Sequence, residues 1–242
     1  MLRFKRTYLL VFLSFGLSKC YGQYHEIGGF LGSSTYIGDV GNTAYLVPGS
    51  YAVGLVYKWN LTTRYSLRAN IIQANLKNAD YASSELGRFW RNYKVDNSIQ
   101  EFSAGIEFNF LDFNLHTEQM NFSPYLFLGL SYFRYQLQYH QNPGGSVPTG
   151  MRAIPELVDY GTTQEVAVPV IFGLKINPSP TVVMGFEVGA RYALTDNLDG
   201  SDPDPSQSLN RFGNIGNNDW YVFSGLTISF TFGDLPCYCK DK

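Results

Sequence analysis

The sequence lacks an excess of charge of either sign, because its 18 lysines and arginines nearly balance its 20 aspartates and glutamates. Proteins that hold nucleic acid need a basic surface, so no nucleic-acid partner is expected. Beyond the first twenty residues the chain also lacks any long apolar run. A transmembrane helix needs about 20 such residues, so a membrane protein built from helices is excluded.

Catalytic and metal-binding motifs are missing as well. The histidines His25, His116 and His140 are scattered, and neither H-E-x-x-H nor G-x-S-x-G occurs. His140 would suit a lipid-modifying hydrolase with a Ser/His pair near the rim of a barrel, but no serine partner can be named. The acidic stretch Asp196–Asn210 shows no clear calcium-ligand spacing and is predicted to be a solvated loop. The sequence thus predicts a non-enzymatic protein without a cofactor or a metal.

Aromatic residues and glycine are abundant. The 242 residues include 18 tyrosines, 18 phenylalanines and 24 glycines. These residue types favour strands and close backbone approach over helices. The length fits one all-β domain or two small ones.

The N-terminus has the pattern of a secretory signal peptide. A basic start is followed by an apolar segment, Tyr8–Leu17, and by a small residue, Gly22, where cleavage is expected. The apolar segment is too short to span a membrane as a helix. Cys20 suggests a lipoprotein as an alternative, although Lys19 fits that pattern poorly. We predict a signal peptide at residues 1–22, a barrel at 23–233 and a C-terminal tail at 234–242.

Apolar and polar residues alternate strictly along six segments of about ten residues, the length that a tilted transmembrane strand needs. These segments are Tyr51–Asn60, Tyr65–Ala74, Gln100–Phe110, Val166–Ile176, Val182–Tyr192 and Trp220–Phe232. Two less regular segments, His25–Tyr36 and Tyr125–Tyr139, raise the number to eight, an even number as in bacterial single-chain barrels. In the second half of Tyr125–Tyr139 the alternation predicts that Phe133 and Tyr135 face away from the interior and that Arg134 faces into it.

The character of the two strand faces distinguishes a membrane barrel from a soluble one. The polar face is rich in Gly, Ser, Asn and Thr, and the apolar face carries aromatic residues near its ends, among them Trp59, Tyr192 and Trp220. Aromatic girdles around an apolar band are typical of membrane barrels. The sequence therefore predicts an all-β fold, an eight-stranded antiparallel transmembrane barrel of up-and-down topology that contacts outer-membrane lipid.

Long and short connections alternate along the chain. The long ones are Gly38–Ser50, Asn75–Ser98, Gln141–Thr163 and Leu194–Asp219, and the short ones are Leu61–Arg64 and Asn177–Pro180. With both termini in the periplasm of a Gram-negative bacterium, the long loops are extracellular and the short turns periplasmic. The connection Leu111–Ser123 is intermediate in length. It is predicted to be a loose turn, and the alternative is a small periplasmic docking feature.

Six charged residues on the polar face are predicted to form an ion-pair network in the lumen. They are Arg68, Glu101, Glu107, Arg134, Glu187 and Arg191. An eight-stranded barrel has no room for a wide channel, and an unpaired buried charge is costly, so inward charges are expected to pair. If Tyr65 lies opposite Phe110, Arg68 lies opposite Glu107.

The same counting brings Arg134 near Glu101, while Glu187 and Arg191 share a face of one strand. Lys58 and Lys175 are expected nearer the periplasmic rim. We interpret this network as a structural filling of the lumen, and the alternative is a path for protons or ions.

Three stretches carry a resemblance to a known family: "HEIGGFLGSSTYIGDV" (His25–Val40), "YAVGLVYKWNLTTRYSLRANI" (Tyr51–Ile71) and "FTFGDLPCYCK" near the C-terminus. In these, and over essentially the whole mature chain, the sequence resembles small outer-membrane proteins of Bacteroidota, the PorG-like components of the type IX secretion system. The most specific element is "YIGD" (Tyr36–Asp39), which ends the first strand.

The resemblance implies a barrel that attaches to a periplasmic ring made from a lipoprotein and a partner protein. The ring belongs to a machine that exports proteins and, in some species, supports gliding motility. The expected function is an anchoring or accessory subunit that uses its periplasmic turns and tail. The alternative is a free-standing small barrel that acts through its extracellular loops as an adhesin, a resistance factor or a narrow pore.

The tail places Cys237 and Cys239 after the last strand, in an oxidising compartment if the chain is exported. A bond between the two would close a very small, strained ring. Three states are open. Both cysteines are free, or they are bonded to each other, or one of them forms a disulfide to a periplasmic partner.

Overall fold

The computed structural model describes residues 24–42, 49–115, 119–141, 155–203, 205–214 and 218–233. The predicted signal peptide and the tail with Cys237 and Cys239 lie outside these residues, and so does His116. None of the helices in the described ranges has the length and apolar character needed to cross a membrane.

Eight antiparallel strands form a closed barrel. Each strand pairs with the next along the chain, and the last pairs with the first. The strands are β1 (Tyr24–Ile37), β2 (Ser50–Asn60), β3 (Tyr65–Ala79), β4 (Lys94–Asn109), β5 (Phe122–Gln141), β6 (Glu156–Ser179), β7 (Val182–Ala193) and β8 (Trp220–Phe232). The predicted all-β, eight-stranded, up-and-down barrel is confirmed.

In the part of the chain that the structure describes, helical structure is confined to the connections. A 3₁₀ turn (Asp80–Ala82) and a six-residue helix (Leu86–Arg91) lie between β3 and β4, and a second 3₁₀ helix (Pro205–Asn210) lies between β7 and β8. We call the end of the barrel that carries the start of β1, the end of β8 and the short turns the turn end, and the opposite end the loop end.

The alternation of the sequence sets which side chains face outward. Leu55 on β2, Ile71 on β3 and Phe102 on β4 are each more than half exposed, while their chain neighbours Val56, Ile72 and Glu101 are buried in the interior. Successive side chains of a strand point to opposite faces, so these period-2 segments give one apolar outer face and one inner face.

The second half of β5 has the facing opposite to that expected from its sequence. Phe133 and Tyr135 are buried in the interior, and Arg134 is exposed on the outside, where its Nη2 donates to Thr162 Oγ1 at 3.0 Å. Its strand neighbours Gln100 and Gln164 are also polar and exposed, so Arg134 lies beyond the apolar belt. A charge costs little there, whereas the aromatic rings fill the lumen.

Two hairpins are longer than the sequence indicated. Pairing of β3 with β4 continues to Ala79 and Lys94, and pairing of β5 with β6 continues to Gln141 and Glu156. The segment of β6 from Glu156 to Val166 extends beyond Ala167, its last residue paired with β7. The predicted loops Asn75–Ser98 and Gln141–Thr163 are therefore partly strand.

Candidate functional site

The barrel interior near the turn end is built around one carboxylate, Glu107 of β4. Three cations from three other strands surround it: Lys58 Nζ at 2.9 Å, Arg68 Nη1 at 3.2 Å and Lys175 Nζ at 2.6 Å. All four side chains are buried. We call Glu107, Lys58, Arg68 and Lys175 the Glu107 hub. The strands curve around a narrow lumen, and this curvature lets residues from β2, β3, β4 and β6 meet at one point.

Arg68 connects the hub to a second carboxylate. Its Nη2 lies 2.9 Å from Glu187 of β7, and its Nε donates to Asn70 Oδ1 at 2.7 Å. Tyr125 Oη donates to the same Glu187 at 2.5 Å. Glu26 of β1 is also buried at this level and accepts from Asn60 and Ser229, each at 2.8 Å. Together with the hub, these residues balance three carboxylates against three cations.

A separate ion pair lies further toward the loop end. Arg191 Nε is 3.4 Å from Glu101 Oε2, and Tyr221 Oη donates to that same oxygen at 2.7 Å. The guanidinium of Arg191 also lies over the ring of Phe223, 4.3 Å from its centroid. A cation over an aromatic face is stabilised by the quadrupole of the ring, which helps to hold this charge away from water.

Five of the six residues expected in the lumen network lie there: Arg68, Glu101, Glu107, Glu187 and Arg191. Their pairing differs from the expected one, because Arg68 lies opposite Gly105 and Tyr65 opposite Phe108, a register two residues from the expected one. Arg68 still reaches Glu107 diagonally. Glu187 contacts Arg68, and Arg191 contacts Glu101.

The expected pair between Arg134 and Glu101 is wrong. Glu101 lies opposite Phe133 on β5, and Arg134 is on the outer face. Arg191 supplies the cation for Glu101 instead. Lys58 and Lys175, which were expected nearer the periplasmic rim, both belong to the hub near the turn end. The signal for them was present, since each lies on the polar face of an alternating strand.

The intermediate turn packs against the turn end of the barrel. Phe113 and Leu115 form a small apolar cluster with Val183, and Lys175 Nζ lies 4.6 Å from the centroid of the Phe113 ring. Arg64 Nε pairs with Asp112 Oδ1 at 2.5 Å on the surface, and the hydrogen bond from Arg64 lowers the pKa of Asp112. These contacts hold residues 110–115 in a defined position beneath the Glu107 hub.

The loop end is filled differently. Residues 197–201 are buried in the mouth of the barrel, contrary to the solvated loop expected for Asp196–Asn210. Asn97 Nδ2 donates to the carbonyl oxygen of Leu198 at 3.0 Å, and Leu198 N donates to Asp219 Oδ2 at 2.9 Å. Leu198 belongs to the main apolar cluster of the interior. Tertiary contacts, which composition does not reveal, bring this polar segment inside.

The two histidines in the described residues are held in aromatic packing. His140 stacks on Tyr93 with centroids 4.2 Å apart, and its Nε2 lies 2.9 Å from the carbonyl oxygen of Lys94. His25 stacks on Phe232 at 5.5 Å. Packing therefore accounts for the positions of both rings.

The outer surface carries a continuous apolar band. Its exposed members come from all eight strands, and they include Leu31, Leu55, Ile71, Ile106, Leu130, Phe172, Phe186 and Leu226. Aromatic side chains bound it, with Tyr57, Tyr65, Phe110 and Phe232 toward the turn end and Tyr51, Tyr132 and Trp220 toward the loop end. A surface of this kind is stable only against lipid, so the band is the lipid-facing surface of a membrane barrel.

A known protein family matches nearly the whole chain. The family described as "Domain of unknown function (DUF6089)" matches residues 5–241. The chain belongs to the DUF6089 family. No curated protein matches it.

Several solved structures are similar to this DUF6089 chain. The N-terminal β-barrel domain of Pseudomonas aeruginosa OprF has 12% identity and a TM-score of 0.43, over 87% of this chain and 98% of that one. A major outer membrane protein from Thermus thermophilus has 10% identity and a TM-score of 0.48, over 88% and 100%. Ail of Yersinia pestis, in complex with sucrose octasulfate, has 13% identity and a TM-score of 0.42, over 87% and 99%.

The assignment of the DUF6089 chain to the eight-stranded membrane barrels rests on its own strand pairing and surface. The closed eight-stranded sheet, the lipid-facing band and the paired charges of the lumen are properties of the chain itself.

Proposed function

We propose that this chain is a non-enzymatic outer-membrane subunit of the type IX protein secretion machinery, which is associated with gliding in some species. In this proposal both termini lie in the periplasm. The turn end and the C-terminal tail contact the periplasmic ring, which consists of a lipoprotein and its partner. The resemblance of the first strand and its "YIGD" end (Tyr36–Asp39) to PorG-like proteins supports the choice of machine.

The observation that carries the non-channel part of the proposal is the filled interior. The Glu107 hub occupies the lumen near the turn end, and the Glu101–Arg191 pair lies above it among aromatic rings. An exported protein has no space to pass between these side chains. Such a barrel contributes to export by holding other subunits at the membrane.

The turn end offers a suitable contact surface. Arg64 and Asp112 fix the turn after β4, and Leu111 and Met120 are exposed beside it, by 49% and 67%. Exposed apolar residues on a fixed turn are the kind of group that a partner protein covers. The tail that carries Cys237 and Cys239 follows β8, whose last residues lie at this same end.

Gentle extraction in detergent, affinity purification and mass spectrometry of associated proteins test the proposal. We expect the ring lipoprotein and its partner to co-purify with the wild type and to be lost with the double variant Leu111→Glu/Met120→Glu. The matched control is Tyr81→Glu/Leu86→Glu, which changes two exposed apolar residues at the loop end. Equal recovery of the ring with both double variants would contradict contact through the turn end.

A disulfide tether through the tail is a separate part of the proposal. Non-reducing electrophoresis of the wild type is expected to show a shifted band that disappears in Cys237→Ser or Cys239→Ser. If wild type and both variants migrate alike, the tether does not exist, although the ring contact is still open to the co-purification test. Mass spectrometry of the mature protein tests the predicted removal of residues 1–22.

The second candidate is a free-standing barrel that acts through its extracellular loops. The ordered loop end favours it, because the helix Leu86–Arg91 and the buried segment at residues 197–201 give that end a defined shape. The filled lumen counts against a narrow pore. Absence of any specific associated protein after extraction, together with a phenotype of the Tyr81→Glu/Leu86→Glu variant, would favour this candidate.

A further inference from the structure

The segment Thr195–Pro203, which we call the mouth segment, closes the loop end of the barrel. Leu198 and Asp199 within it are fully buried. Beyond its link to Asn97, the segment is held by Phe212 N, which donates to the carbonyl oxygen of Ser201 at 3.1 Å. The segment is therefore a structured stopper rather than a solvated connection.

Two buried carboxyl groups take part in the hydrogen bonds of this segment, Asp219 from outside it and Asp199 from within it. Asp219 Oδ2 accepts from Leu198 N at 2.9 Å, and Asp199 Oδ1 accepts from Ser201 N at 2.9 Å. Tyr36 of β1 donates its hydroxyl proton to Asp219 Oδ1. Asp199 Oδ2 is buried and has no hydrogen-bond partner. Asp199, Asp219 and Tyr36 are each at most 1% exposed, so bulk water does not solvate the two carboxyl groups.

The charged surroundings of this pair are almost entirely acidic. Asp39 lies in the segment after β1, Asp196 and Asp202 belong to the mouth segment, and Tyr36 and Tyr135 face it from β1 and β5. The nearby arginines bind other groups. Arg211 forms an ion pair with Asp202, and Arg91 forms one with Asp80 and donates to the carbonyl oxygen of Asp39. Arg88 donates to the carbonyl oxygens of Gly38 and Gly41.

No side-chain cation of the described residues is paired with Asp199 or Asp219. Among the described residues no salt bridge reaches Asp196, Asp199 or Asp219, and no three His, Cys, Asp or Glu side chains there are arranged to hold a metal ion. Two carboxylates that share one site cannot both stay ionised cheaply, and the remaining way to remove a charge is to bind a proton.

We propose that the mouth segment is a proton-held latch: Asp199 and Asp219 keep it docked in the barrel while they retain a proton, and losing that proton releases it. Asp199 Oδ2 is the free oxygen on which the proton can reside. The latch controls whether the loop end presents a closed surface or an open cavity, and this holds for any partner that binds there.

The direction of the pH dependence follows from the pKa shifts. Burial raises the pKa of Asp199 and of Asp219, and acidic neighbours raise both pKa values further. Burial and the same neighbours raise the pKa of Asp196 to about 7. The docked segment thus binds protons that the released segment does not. Docking is fully stabilised below the ordinary aspartate pKa and weakens as the pH rises from there through about 7 and above.

Hydrogen–deuterium exchange of the purified barrel tests the latch. The amide of Leu198 reports on docking directly, since it donates to Asp219, and the amide of Ser201 reports on the order of the segment itself, since it donates to Asp199. We expect protection of the peptide 194–203 to fall about tenfold or more between pH 5.5 and pH 8.5, which corresponds to one pKa unit of linkage or more. A free synthetic peptide of the same sequence corrects for the intrinsic pH dependence of exchange.

Variants separate the latch from general loosening. In Asp199→Asn/Asp219→Asn the shape is kept but both ionisable groups are removed, so protection is expected to be high and to fall much less with rising pH than in the wild type. Asp196 is the titratable group of the mouth segment's buried surroundings that remains. The control Asp96→Asn changes an exposed aspartate paired with Lys77 and should keep the pH dependence of the wild type. Heat-modifiable migration and circular dichroism establish that each variant is folded.

Three results would overturn the latch. The first is equal wild-type protection at both pH values, which needs no variant to interpret. The second is a pH dependence that persists unchanged in the folded double variant. The third is protection that responds to added Ca²⁺ at constant pH and not to pH, which would indicate a metal-held segment instead.

Discussion

The two ends of the barrel interior hold buried carboxylates in opposite ways. Near the turn end, Glu107 is surrounded by three cations, and all its charge is compensated inside the protein. Near the loop end, Asp219 accepts from the Tyr36 hydroxyl, and both Asp199 and Asp219 have acidic neighbours. The comparison shows that one small lumen can combine a part whose charges are compensated by ion pairs with a part that depends on protons from the solvent.

The largest expected effect concerns the Glu107 hub. Glu107→Gln leaves three buried cations without their shared carboxylate and is expected to lower the free energy of unfolding by about 3–5 kcal/mol. Equilibrium unfolding in urea, with the barrel in lipid vesicles, measures this. Asp96→Asn, which removes an exposed pair, should cost about 0–1 kcal/mol. A similar small loss for both variants would mean that the hub is not a stabilising element.

The Glu101–Arg191 pair is expected to show a smaller effect. Tyr221→Phe removes the hydroxyl that donates to Glu101 Oε2 but keeps the ring, and it should cost about 1.5–3 kcal/mol in the same unfolding measurement. The control Tyr132→Phe removes a hydroxyl on the outer surface, where water replaces its bond to Gln164. If the two variants unfold at the same urea concentration, the buried hydroxyl contributes nothing.

The loop end differs from the turn end in the pH at which it is most stable. Asp219→Asn removes a carboxyl group whose pKa is raised by burial, so the variant should lose less stability than the wild type as the pH rises above about 4. The expected difference between the two pH profiles is about 1 kcal/mol by pH 8.5. Parallel profiles of unfolding midpoint against pH for both proteins would show that Asp219 is ionised throughout.

The smallest effect is expected for Arg134, which lies on the outer face of the barrel although the sequence predicted it in the lumen. Arg134→Ala should change the free energy of unfolding by no more than about 0.5 kcal/mol, as is usual for an exposed residue. Arg68→Ala is the matched comparison, since it removes a buried arginine held by two carboxylates. A loss for Arg134→Ala close to that for Arg68→Ala would place Arg134 inside the barrel after all.

Much of the fold follows from the sequence because period-2 alternation and strand length are local properties. The outward facing of Leu55, Ile71 and Phe102 needs no knowledge of the rest of the chain. The alternation fails at Phe133 and Arg134 because aromatic rings serve equally well against lipid and in a packed lumen. A charge indicates the interior only within the apolar belt, and Arg134 lies beyond it.

The interior contacts could be predicted only in part. Arg68 and Glu107 lie on neighbouring strands, so counting along a hairpin found them even with a register error of two residues. Lys175 reaches Glu107 across the lumen, and Glu187 reaches Arg68 in the same way, which depends on the curvature of the closed sheet. The burial of Asp199 could not be predicted from the sequence, because a segment rich in Asp, Ser and Pro has the composition of a solvated loop.

The unequal length of the strands gives the molecule a height that its membrane-spanning part does not need. The eleven residues Glu156–Val166 of β6, paired only with β5, continue past the end of β7. At a rise of about 3.3 Å per residue and a tilt of about 40°, residues 156–166 extend roughly 30 Å beyond the end of β7. The β3–β4 hairpin stands beside this part of β5, since Gln138 Nε2 donates to the carbonyl oxygen of Asp96 at 2.8 Å. The backbone hydrogen bonds between β5 and β6 therefore keep Gln141 and Glu156, the last paired residues, well above the lipid surface.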